Sequence, residues 1–221
     1  MSALAEAHIA AQERIRRRTA TAVGTAWTRL PAYDRANVPA FLASAVPIVA
    51  AGQRQSAATT NAFLARAVGR APMALDVAAV TGAGVRNGTA PVEVYQRPFV
   101  TVWTALKAGT RFEDAVAAGL ARATGSAAMD VQLTMRSTLT DIGSRDDLIL
   151  GFERVPDGDA CDFCVLVAGQ RYTTADLMPV HNHCGCGVDI ITAENRGDFT
   201  GKTGNDLSMP AAVSIAEHGE L

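Results

Sequence analysis

The sequence predicts a mainly α protein with a small C-terminal α+β module: a helical N-terminal two-thirds joined to a zinc-stapled knuckle with short strands. Three observations carry this expectation. Hydrophobic residues make up 48% of the chain but aromatics only 5%, and alanine dominates the rest, which favours closely packed helices over sheets. Apolar residues recur at helical spacing across residues 1–145. Beyond them the period changes, and all four cysteines and two of the four histidines fall between Cys161 and Cys186.

A chain of 221 residues holds one large domain or two small ones. The expected division is a helical region over 1–145, the module over 146–195 and a loosely ordered, glycine- and asparagine-bearing tail over 196–221. Helices are expected at about 2–30, 38–68, 98–108 and 111–142. The first has an apolar stripe of Ile15, Ala22, Val23, Ala26, Trp27 and Leu30, interrupted at Thr19, and Pro31 ends it. Its "RIRRR" run places Arg14, Arg17 and Arg18 away from the stripe and Arg16 at its edge. A solvated face is the ordinary reading of such a run; contact with phosphates or an acidic partner is the functional one.

The second helix puts Phe41, Ala45 and Ile48 on one side, with a kink expected at Pro47. Residues 81–91 read as a loop; their glycines lack phosphate-loop spacing and no buried strand precedes them. Pro98 suits a first helical position, and Gly109 a helix end. Thr110 and Glu113 have capping-box spacing for the next helix, whose core stripe is expected to be Phe112, Val116, Leu120, Ala127, Val131, Met135 and Leu139. Leu148–Val155 reads as a strand and "PDGD" as a turn; a short helix follows Cys161, then the strands "QRYT" and "GVDIIT".

The cysteine segment reads C-x2-C, a 16-residue gap, then H-x-H-C-x-C. A C-x2-C bite lets two thiolates reach one tetrahedral ion from a single turn, and the distal group supplies the remaining ligands. Two disulfides and unliganded thiols are the competing readings. No secretory leader and no 18-residue apolar run is evident, and a reducing compartment then favours structural zinc. Cys161, Cys164 and Cys186 are the chosen ligands, with His181 or Cys184 completing the shell. Four protein ligands make a closed site with no open position for a catalytic water.

Other chemistry is poorly supported. His181-Asn182-His183 invites an HNH-type endonuclease reading, but C-x-C follows at once and the next histidine is His218. Ser126 lies within an expected helix without a nucleophile elbow, and the histidines outside the cluster are His8 and His218. Asp157, Asp159 and Asp162 have turn and capping roles available. A net charge of −2 and a pI near 6.1 argue against a dedicated nucleic-acid binder. Only Lys107 and Lys202 among the 20 basic residues are lysine, a bias typical of high-GC coding.

"RPFVTVW…G…FEDAVAAGLARA…DVQLTMR" followed by "CDFC…RYTTADLMPVHNHCGC" resembles the Mu F-like (head-morphogenesis) minor capsid proteins of tailed phages, in the branch found in actinobacterial phages and prophages. The resemblance covers Arg97 to Ile190 and rests on Cys161, Cys164, Tyr172, Asp176, Leu177, Pro179, His181, Cys184 and Cys186. His183 falls where that family varies, so the resemblance favours His181 as a ligand. It implies a head protein associated with portal and capsid proteins during assembly in the bacterial host cytoplasm, with virion retention and DNA contact left open. No membrane or small-molecule partner is implied. Relatives often carry the label capsid maturation protease; the residues show no credible triad, so a non-enzymatic role is expected.

Overall fold

The computed structural model describes residues 1–158, 160, 162–174 and 185–199. Helix α1 (Ala3–Thr28) starts where the Ser2 hydroxyl accepts the Ala5 N–H at 3.1 Å, an N-cap. Its buried row runs Ala5, His8, Gln12, Ile15, Thr19, Val23 and Trp27. Thr19 is therefore part of the packed face and does not interrupt it. Its hydroxyl donates to the Ile15 carbonyl at 2.8 Å, so a polar group is buried without an orphaned donor, and its side chain fills the space that Gly52 leaves open.

Helix α2 (Val38–Ala67) runs on through Pro47, an exposed position. By length and mean hydropathy, 1.3 over its most apolar window, the segment Arg35–Ala67 is apolar enough to cross a membrane, contrary to the expectation from sequence. One face of it packs into the core, where Phe41, Ala45, Val49, Gln53, Ser56, Thr60 and Phe63 are buried at helical spacing. Helix α3 (Pro91–Lys107) begins seven residues before the expected Pro98, because Pro91 takes the first position and Val94 and Tyr95 add buried surface ahead of it. It ends in a Schellman motif: Gly109 at φ +84° donates to the Leu106 carbonyl and Thr110 to the Ala105 carbonyl, both at 3.0 Å. Thr110 thus closes α3 and does not cap the next helix. α4 (Phe112–Gly143) has Arg111 at its N-cap with no side-chain cap, and Glu113 pairs with Arg111 at 2.8 Å.

In the N-terminal half of α4 the buried row is Ala115, Gly119 and Ala123, not Phe112, Val116 and Leu120; Phe112 is 58% exposed. Small side chains win there because α4 lies against the Trp27 indole. A Cβ on Gly119 would sit 2.6 Å from both Trp27 and Val102. Trp27, Phe41 and Phe99 pack edge-on or tilted around this spot, with centroids 4.9–5.7 Å apart. Farther along α4, Val131, Met135 and Leu139 are buried as expected, and Met135 and Leu139 join a second cluster with Ala5, Phe63 and Leu64.

That second cluster also contains Ile149, Phe152, Tyr172, Val188 and Ile190, so the sheet shares its core with the helices. β1 (Gly151–Val155) lies between β2 (Arg171–Thr173) and β3 (Gly187–Ile191), antiparallel to both. Phe152 is opposite Tyr172 and Ile190, and Arg154 opposite Val188, which places all five on one face. Gly143 is the last residue of α4, and the Phe152 ring stands 2.8 Å from where its Cβ would be.

Between α1 and α2 a buried polar ladder replaces apolar packing. Gln12 donates to the Ser56 carbonyl at 3.1 Å and to the Thr60 hydroxyl at 2.9 Å, and Ser56 donates back to Gln12 at 2.7 Å. His8 contacts Thr60 at 3.3 Å and stacks on Phe63 with centroids 4.1 Å apart. Burial lowers the His8 pKa from 6.5 to about 4, so the ring is neutral at pH 7.

Two outcomes follow. Gly119→Val should lower stability by about 1–3 kcal/mol through overpacking, read as a lower urea midpoint at unchanged m-value; a midpoint equal to wild type contradicts the close approach. Between pH 6.5 and 4 the unfolded chain takes up a proton that folded His8 refuses, so stability is full above pH 6.5 and falls as pH falls. Wild type should lose about 2–3 kcal/mol more than His8→Gln between pH 7 and 4.5, and parallel pH profiles for the two proteins would refute a buried neutral imidazole.

Candidate metal centre

The segment after β1 turns and enters α5 (Asp162–Leu166), which carries Cys164. The chain then returns as β2 through Gly169 at φ +73°; Gly169 donates to the Arg154 carbonyl at 2.9 Å and Arg154 donates to the Gln170 carbonyl at 2.8 Å. Cys186 immediately precedes β3, and its carbonyl accepts from the Gln132 side chain of α4 at 2.6 Å. These constraints bring Cys164 and Cys186 into one buried cluster with Ala160; the cysteines are 1% and 0% exposed. The other expected ligands, Cys161, His181 and Cys184, lie outside the described residues, as do His183, Asp176, Leu177 and Pro179. Among the described residues no group of three or more Cys, His, Asp or Glu side chains gathers around a point.

The surroundings of the two sulfurs suit a metal–thiolate group. Arg154, 1% exposed, directs Nη1 to the Cys164 sulfur at 3.9 Å, and its guanidinium lies 5.9 Å from the Tyr172 ring centroid. Burial raises the Tyr172 pKa against the opposing charge and hydrogen bond of Arg154, while Cys164 and Cys186 push it further up. Burial, then the Arg154 charge, lowers the pKa of Arg136 on α4. The Arg136 Nε has no hydrogen-bond partner among the described residues. Buried cations require nearby negative charge. Zinc held by Cys161, Cys164 and Cys186 would carry one net negative charge with His181 as fourth ligand and two with Cys184, and either would suit cationic neighbours.

Contacts that the sequence does not advertise dock this end onto the helices. Arg16 pairs with Asp157 at 3.3 Å, and the pair occupies the space left by Gly185, between the two distal cysteines. Asp189 accepts from the Ser2 amide at 2.6 Å and hydroxyl at 2.8 Å. Ile9 fills the space beside Gly187. Arg14, Arg17 and Arg18 are exposed, as the stripe implies; Arg16 is committed within the chain.

A second buried polar group lies in the helical region. Asp130 accepts from Arg86 Nε at 2.5 Å and from the Tyr95 hydroxyl at 2.6 Å, while Arg86 also donates to the Ser126 carbonyl at 3.2 Å. Burial raises the Asp130 pKa, and Arg86 and Tyr95 oppose that rise. The trio holds the 3-10 turn Gly82–Arg86 against α4, so the glycine-rich loop is ordered by an ion pair. A lone aspartate beside Val131 on a core-facing stripe was the available signal. Ser126 is mid-helix in α4, and His8 is hydrogen-bonded in the core.

A family described as VG15 protein matches residues 2–206 of the chain. No curated protein and no solved structure matches it.

If His181 completes the metal shell, His181→Ala should lose metal to a chelator at least about tenfold faster than His183→Ala, given the weight of one ligand in such sites. Metal content after timed chelator exposure measures this, and faster loss from His183→Ala would reverse the assignment.

Proposed function

We propose that this chain, which belongs to the VG15 family and is a phage protein, is a minor capsid or head-morphogenesis protein of a tailed phage or prophage. It associates with the portal and procapsid in the host cytoplasm during head assembly. The family match supports phage origin, and the resemblance of the Arg97–Ile190 segment to Mu F-like head proteins supports the finer role. The cysteine cluster then acts as a structural zinc knuckle, with Cys161, Cys164 and Cys186 joined by His181 or Cys184.

An exposed basic face on α1 supports docking to a partner. One face of α1 is committed to the core while Arg14, Arg17 and Arg18 face solvent on the other. Among the described residues Arg17 pairs with Glu13 at 3.3 Å, an exposed contact worth little and readily exchanged for a partner's carboxylate. Such a face suits an acidic surface on a larger assembly.

The runner-up reading, a capsid maturation protease, needs a nucleophile and a base open to substrate. His8 and Thr60 do form a histidine–hydroxyl pair, but they are 3% and 0% exposed. Ser126 stands on α4, and its carbonyl is engaged by Arg86. The first is closed to a peptide and the second has no histidine base beside it among the described residues, so neither supports the protease reading. The HNH-type alternative rests on His181 and His183, outside the described residues.

Replacing Arg14, Arg17 and Arg18 by serine should weaken co-purification with the portal or procapsid about tenfold or more at low salt, with the difference shrinking as salt rises. Ser126→Ala should leave cleavage of the major capsid precursor unchanged. Portal binding equal to wild type would remove the docking face, and a cleavage block in Ser126→Ala would put the protease in its place.

A further inference from the structure

Residues 69–90, between α2 and α3, are held by polar contacts more than by apolar ones. Val80 is buried and Met73 and Leu75 are half-buried against the core, but Val77 is exposed. Both ends are tied to the helices. Arg70 pairs with Asp146 at 3.1 Å and Asp147 at 2.9 Å just past α4, and the Asn61 side chain of α2 bonds the Met73 amide and carbonyl at 3.1 and 2.8 Å. Farther on, Gly82 donates to the Gln53 side chain of α2 at 3.1 Å, and Arg86 donates to Asp130 at 2.5 Å and to the Ser126 carbonyl at 3.2 Å on α4. Between these anchors the segment satisfies itself. The Asp76 carboxylate accepts from the Ala78 and Ala79 amides, Thr81 donates to the Val77 carbonyl, and Gly88 donates to the Ala83 carbonyl. Gly84 lies so close to the turn before it that a Cβ there would stand 2.6 and 2.3 Å from the carbonyl oxygens of Ala78 and Ala79.

We infer that residues 69–90 form a releasable strap: the segment lifts from the seam between α2 and α4 as one unit while α1–α4 stay folded, and the Arg86–Asp130 pair is its latch. A unit with few buried apolar contacts opens at a free energy below that of global unfolding. Its internal hydrogen bonds survive the lift, so few backbone groups lose their partners. The latch is firm because Asp130 is 4% exposed, and a buried carboxylate stripped of its cation is costly. Against the turn lies a cavity of about 70 Å³, lined by Val46, Val49 and Val94 and reaching Asp130 and Arg86. Water entering by this route hydrates the carboxylate as Arg86 leaves, while the Tyr95 hydroxyl of α3 stays on it at 2.6 Å. The lift turns a closed seam into an open slot with apolar walls and an anionic base.

Native-state proteolysis with trypsin reads the lift, since the peptide bond after Arg86 is open to the enzyme only when the strap is off. Full-length wild type and Asp130→Asn are digested across urea concentrations below the unfolding transition, cuts are timed by mass spectrometry, and each rate is divided by that of the unfolded chain. In wild type the cut after Arg86 should be slow and nearly independent of urea, while cuts after Arg54 in α2 and Arg122 in α4 rise steeply with it. Asp130→Asn should speed the Arg86 cut at least about tenfold with helical circular dichroism retained. A wild-type cut after Arg86 with the same urea dependence as those in α2 and α4 would show that the strap leaves only on global unfolding and overturn the inference. A wild-type cut at the unfolded-chain rate would show no latch, and an unchanged rate in Asp130→Asn would remove the ion pair from that role. Should Asp130→Asn not fold, Arg86→Lys decides, because trypsin still cleaves there while one ammonium cannot hold Asp130 and Ser126 as the guanidinium fork does. A cut at position 86 several-fold faster than in wild type supports the latch, and the wild-type rate contradicts it.

Discussion

The close approach of α1 and α3 to α4 is the constraint on which the remaining structure depends. A helix of 32 residues spans the molecule and changes the character of its buried face along the way. Its first half offers Ala115, Gly119 and Ala123, so the Trp27 indole can lie almost on its backbone. Its second half offers Met135, Leu139 and Ile142, which share one core with the sheet. With few aromatics available, close backbone contact supplies the dispersion energy that large side chains provide elsewhere.

Polar groups inside this core are arranged in matched sets. The His8–Gln12–Ser56–Thr60 ladder joins α1 to α2, and Arg86–Asp130–Tyr95 holds the Gly82–Arg86 turn against α4. Arg154 and the cysteines form the third set, where the sheet meets α5. Each fixes one relative placement that apolar contact alone would leave free to slide. The cysteine end is thus docked by Ser2–Asp189, Arg16–Asp157 and Gln132–Cys186 as well as by the shared apolar core.

Much of this was legible in sequence. Alanine content and helical periodicity gave four long helices, and α1, α2 and α4 have ends within two residues of expectation. The three strands fell where β-branched and aromatic residues clustered. Periodicity fails where a small residue is buried because a large one lies opposite: Gly119 and Ala115 look unremarkable until Trp27 is placed against them. Thr110 was claimed by the end of α3, which a motif read forward from α4 cannot reveal. In the cysteine segment, spacing grouped the cysteines, and the structure brings Cys164 and Cys186 into one buried cluster. Arg154 was readable in principle, two residues after Phe152 on the core face of a strand, but only the fold shows that this face ends at the cysteines.

Under the proposed zinc reading, the helical core holds the sheet and the metal would hold the chain around Cys164 and Cys186. Hydrogen–deuterium exchange on the purified protein, before and after metal removal, tests this most directly. The account predicts that chelation accelerates exchange by orders of magnitude at amides around Cys164 and Cys186 and leaves β1 and the second half of α4 protected. Identical exchange in both states, or collapse of protection across β1 and α4 together, would contradict it.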